Sequence, residues 1–159
     1  MDENDTRKIE VEFEKQIQEL RESIDRVGLR QDELRGYVFE VTDIVKEIQS
    51  QISSLPSNAY EAKGKFHLAM QKNNELISRL YDTIANFESV RHRYQQDIGR
   101  LTKDKIYFIN IELRKVEEKM DSNSSSMIKF MKELRSLVSS VTENPEVSSK
   151  ILGSIEKKT

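Results

Sequence analysis

Residues 17–55 read IQELRESIDRVGLRQDELRGYVFEVTDIVKEIQSQISSL. Within this stretch Ile17, Leu20, Ile24, Val27, Gln31, Leu34, Val38, Val41, Val45, Ile48, Ile52 and Leu55 fall on alternating steps of three and four. Only Gln31 among them is polar. A 3.5-residue beat held for so long is what a helix needs to bury one stripe against other helices. The stretch therefore predicts an all-α protein, an elongated helical bundle built from long helices.

The beat ends at Ser53-Ser54-Leu55-Pro56-Ser57-Asn58. Proline cannot continue a helix and biases the residue before it away from the α region. Asn58 and Glu61 then have the spacing of a capping box, which opens a new helix. A first helix from about Thr6 to Leu55 would be ~75 Å long at 1.5 Å per residue. So short a connection after it predicts a long antiparallel helical hairpin, a coiled coil turning near 53–58.

The second helix is expected from about Ala59 to Met120, on the stripe Phe66, Met70, Asn73, Ile77, Leu80, Ile84, Phe87, Arg91, Tyr94, Ile98 and Leu101. Ile109, Leu113, Val116 and Met120 resume it after a gap of eight residues, which reads as a slip of phase within one helix. The slip coincides with Ile106-Tyr107-Phe108-Ile109-Asn110-Ile111, the most apolar run in the chain, expected as helix buried on several sides. Ser and Asn compete with helical hydrogen bonds, so 122–126 reads as a Ser-rich linker dividing the hairpin of 1–121 from 127–159. A shorter third helix follows, with Met127, Phe130, Met131, Leu134, Leu137, Val138 and Val141 on one face. Asn144 as cap and Pro145 at the first helical position can open a fourth segment bearing Val147, Ile151, Leu152 and Ile155.

Tyr37 and Ile44 widen the first stripe, and Ala69, Leu76 and Val90 widen the second. Three apolar positions in seven belong to a bundle of three or more helices rather than a two-stranded coil. Folding the chain about residue 57 sets Gln31 near Thr83, Arg91 near Glu22 and Asp25, and Lys105 near Glu10.

Composition agrees with this class. Charged residues make up 34% and aromatics 7%, with five Gly and two Pro, the profile of coiled coils and long helices. Residues 1–55 carry fourteen acidic and eight basic side chains, and the remainder fourteen and eighteen, so the two parts attract. Without cysteine there is no thiolate chemistry and no disulfide. No apolar run approaches the ~18 residues of a membrane span and the first residues are acidic, so the default expectation is a soluble, cytoplasmic protein.

Little in the chain suggests catalysis. His67 and His92 stand alone, and no Gly-rich phosphate loop, nucleophile elbow or HExxH motif occurs, which predicts no enzyme, metal site or cofactor. The basic cluster Arg91, His92, Arg93, Arg100, Lys103 and Lys105 is interleaved with Glu88, Asp97 and Asp104, so a solvated face is expected and no nucleic acid. Lys129, Lys132 and Arg135 beside Met127, Phe130 and Met131 are the best membrane candidates; cover for the end of the hairpin is the favoured role of that apolar face.

Gln31, with aliphatic layers on both sides, resembles the central layer of a SNARE helix, and Arg91 between Phe87 and Tyr94 occupies a comparable layer. The resemblance spans about forty residues and implies a tethering or fusion helix at a membrane. SNARE helices bundle in parallel and carry an anchor, neither of which this chain predicts, so a SNARE-like or membrane-associated tether is the second reading. The first is a non-enzymatic structural or adaptor protein, a subunit that assembles with other α-helical proteins or with itself. Its interaction residues are expected to be Ile17, Leu20, Ile24, Val27, Gln31, Leu34, Val38, Val41, Arg91, Tyr107 and Phe108.

Overall fold

A computed structural model describes residues 2–54 and 59–141 of the chain. Pro56, the Asn58 cap and the fourth segment after Asn144 lie outside the described residues. Three α-helices make up the rest: α1 Glu3–Ser53, α2 Tyr60–Asp97 and α3 Lys103–Val141.

Each helix begins and ends for local reasons. Asp2 caps α1, its carboxylate accepting the Asp5 amide at 2.9 Å and its carbonyl the Thr6 amide at 3.1 Å. At the far end Ser53 and Ser54 donate their hydroxyls to the carbonyls of Gln49 and Gln51, and the Ser54 amide also turns back to Gln51 at 3.2 Å. α2 stops at Gly99, whose φ of +91° suits a residue without a Cβ. Three residues later the Thr102 hydroxyl accepts the Lys105 amide at 3.2 Å and opens α3.

Two sequence expectations fail here. The eight-residue gap between Leu101 and Ile109 is no slip within one helix: a turn at Ile98–Thr102 separates two helices. The Ser-rich linker at 122–126 does not exist, because α3 runs unbroken through it, and the third helix, at 39 residues, matches the 38 of α2. Met120, Asn123 and Met127 keep the steps of three and four across those serines, and all three are buried. Burial of the flanking stripe outweighs the weak helix propensity of Ser and Asn.

The described chain forms two compact units, each with segments of all three helices. The first comprises Met1–Asp32 and Asp82–Met120. Its core takes Leu20, Ile24 and Val27 from α1, Ile84, Phe87, Val90 and Tyr94 from α2, and Ile106, Ile109, Leu113, Val116 and Met120 from α3. The second comprises Glu33–Tyr81 and Asp121–Thr159. Its core joins Val41, Ile44, Val45, Ile48 and Ile52 with Leu76 and with Phe130, Met131, Leu134, Leu137 and Val138. Each such side chain contributes about 1.5–3 kcal/mol when fully buried. The widened stripes are used as the sequence implies: Ile44, Leu76 and Val90 are buried, and Tyr37 and Ala69 are half-buried.

Candidate functional site

The seam residues are spent on the chain's own cores. Leu20, Ile24, Val27 and Gln31 are buried in the first unit, with Ile17 half-buried, and Leu34, Val38 and Val41 are buried in the second. None of these buried side chains is left free for a partner. Met127, Phe130 and Met131, the apolar half of the membrane candidate, are likewise internal.

Gln31 and Arg91 are joined through Glu88, which the sequence placed beside the basic cluster and not opposite Gln31. The Gln31 amide donates to Glu88 Oε1 at 3.3 Å, and Arg91 donates to Glu88 Oε2 at 2.5 Å. The guanidinium of Arg91 also lies over the Phe87 ring, 5.6 Å from its centroid. Gln31 Oε1 is buried and has no hydrogen-bond partner among the described residues. Glu88 is three residues before Arg91, a spacing that brings helical side chains together, and this was the available signal. The contacts from folding about residue 57 were displaced: Arg91 pairs with Glu88 rather than Glu22 or Asp25, and Lys105 with Asp97 at 3.5 Å rather than Glu10.

In the same unit, Arg26 pairs with Glu117 at 3.1 Å, and Arg93 pairs with Glu112. The Arg21 Nε donates to the Tyr94 hydroxyl at 3.4 Å, which pushes the guanidinium further above its ordinary value. Thus Arg91, Arg93 and Lys105 of the basic cluster each face a carboxylate.

Tyr107 and Phe108 reverse the expectation of a run buried on several sides. They are 63% and 60% exposed, with their rings edge to face at 5.8 Å, whereas Ile106 and Ile109 of the run are buried and Ile111 is half-buried. The reason is periodicity: 106, 109 and 113 carry the stripe, and the two aromatic residues fall off it. Ile98 on the preceding turn is half exposed. On α1, Glu3 to Lys15 are exposed apart from half-buried Phe13, and Ile9 and Val11 stand among them. Exposed large apolar residues of this first unit are therefore Ile9, Val11, Leu29, Ile98, Tyr107 and Phe108.

The histidines are both exposed, His67 lying 3.3 Å from the Gln71 amide nitrogen. Among the described residues no group of three or more His, Cys, Asp or Glu could hold a metal ion, and no helix is long and apolar enough to cross a membrane. Comparison with known proteins finds no matching family model, no matching curated protein and no matching solved structure.

Proposed function

We propose that the chain is a non-enzymatic, cytoplasmic structural or adaptor subunit whose first unit binds a helix of another protein or of a second copy. In this reading α1 and α2 form an antiparallel hairpin, which α3 completes as a bundle. Within the first unit Arg21 meets Tyr94 and Gln31 meets Glu88, so partner numbers fall on α2 as they rise on α1. The observation that carries the functional reading is the exposed start of α1. A helix in a protein gains most of its stability from packing an apolar face, and the first turns of α1 leave theirs exposed. Here Ile9, Phe13 and Ile17 recur every four residues on one face, and neither α2 nor α3 covers Ile9. An incoming helix that uses the same stripe supplies the missing cover. Tyr107 and Phe108 add an aromatic anchor of the kind that dominates interfaces.

Light scattering over a range of concentrations, joined to capture of proteins from extract, tests the proposal. The double variant Ile9→Lys, Phe108→Lys is compared with the parent chain after circular dichroism has matched their helicity. The expected result is a mass above 18.6 kDa, or a captured helical protein, for the parent chain and loss of it in the variant. Equal mass and equal capture for both chains sinks the reading. Binding of both to acidic vesicles in a flotation assay favours the membrane tether instead.

A further inference from the structure

Charge divides the exposed apolar surface of the first unit. Every residue of α1 from Glu3 to Glu12 is exposed, so neither α2 nor α3 covers any face of this stretch. Helical neighbours lie three and four residues apart, which sets Asp5 and Glu12 on either side of Ile9, and Glu10 beside Phe13. The stripe of Ile9 and Phe13 is therefore flanked by carboxylates.

A second exposed apolar surface, Tyr107 and Phe108 on α3, is flanked the opposite way. Lys103 lies one turn before Tyr107, and Arg114 and Lys115 lie two turns beyond the aromatic pair, all of them exposed. Glu112 on the same stretch is already taken by Arg93, which leaves Asp104 as the acid nearest the rings. The imbalance extends to both stretches as wholes. Among side chains that form no ion pair with the described residues, 2–15 carries six carboxylates and three cations, and 98–119 carries five cations and two carboxylates. The balances of −3 and +3 are equal and opposite.

We propose that the partner of the first unit is a second copy of this chain, with the first turns of α1 of each copy lying along the Tyr107–Phe108 face of the other. The proposal rests on the functional reading above and narrows its partner to one. α1 is a single helix to Ser53, so its first turns cannot fold back onto α3 of their own chain. Opposite charge on two surfaces of one unit is what a two-fold pair of identical chains can use, because each copy offers both halves and the contact forms twice. The lengths agree: from Asp5 to Phe13 a helix rises ~12 Å, and from Lys103 to Lys115 it rises ~18 Å, so the acidic stripe fits within the basic face.

Sedimentation equilibrium on the full chain tests this. The parent chain is expected to form a dimer of twice 18.6 kDa. Glu10→Lys with Glu12→Lys, and separately Lys103→Glu with Lys115→Glu, should each weaken that dimer about tenfold or more, because like charges then face each other. All four positions are exposed, and circular dichroism checks that the helices persist. An equimolar mixture of the two variants should recover a one-to-one heterodimer, since opposite charges meet again at both contacts. A monomeric parent chain overturns the proposal, as does a dimer that neither variant weakens or a mixture that stays monomeric. A monomeric parent that still captures another helical protein through Ile9 and Phe108 overturns the second copy alone and leaves the functional reading standing.

Discussion

At the scale of single residues, Gln31 decides most. Its buried Oε1 has no partner among the described residues, and an unsatisfied buried acceptor costs about 1–3 kcal/mol. Its one hydrogen bond goes to Glu88, a carboxylate that keeps Arg91 if the amide is removed. Gln31→Leu should therefore raise stability by about 1 kcal/mol in denaturant melts, while loosening the register or partner number that a polar seam position restricts. A fall of more than about 1 kcal/mol would sink the register role. Tyr37 gives a second prediction. Burial, and then the charge of Glu40, raises its hydroxyl above the ordinary value near 10. Because the folded value is the higher one, its contribution is complete below the unfolded value and is lost as pH rises through the folded value. Thermal melts should hold steady up to about pH 10 and fall beyond it. Tyr37→Phe should remove part of that alkaline fall; an unchanged profile in the variant refutes the assignment.

At the scale of elements, α3 offers the sharpest test. Ser125 is exposed within it, so a linker would accept proline there and a helix would not. Ser125→Pro should cost ~3 kcal/mol or more, read from urea melts, because it removes one backbone hydrogen bond and clashes with the preceding turn. A cost below ~1 kcal/mol would restore the linker. The long first helix was legible because aliphatic periodicity over many turns leaves no other periodic reading, and its three-in-seven stripe pointed to a helical bundle, though not to which helices complete it. The boundaries between α2 and α3 were not. Asn123 lies in phase with Met120 and Met127, yet its residue type reads as a break; only its place in the stripe shows that it is a seam residue. At Ile98–Thr102 the reverse holds: Gly99 and Thr102 are the stop and start signals, but a gap that nearly preserves the beat disguises them. Likewise Tyr107 and Phe108 look like core by composition and lie outside by period. Glu88 was invisible as a partner of Gln31 because no local rule sets the register between helices so distant in sequence.

At the scale of the whole molecule, the same three helices furnish two separate cores. Each helix also carries a buried polar residue close to where it leaves one unit for the other. Gln31 is next to last in Met1–Asp32, Thr83 is second in Asp82–Met120, and Asn123 is third in Asp121–Thr159. Buried polar side chains contribute less apolar contact than aliphatic ones, and α2 carries a further one, Asn73, inside its second-unit segment. Opening one unit from its ends also requires no new helix nucleus, because the part of each helix in the other unit persists. Local opening in one unit should thus leave the other protected. Ile48 is fully buried in the second unit, and Ile48→Ala should cost about 2–5 kcal/mol there. Amide hydrogen exchange in the native state is the measurement. Protection around Val45, Leu134 and Val138 should fall by that amount, whereas protection around Phe87, Leu113 and Val116 should fall by much less. An equal loss at all of these amides would mean that the two cores open only together, and the description of two units would then have no energetic content.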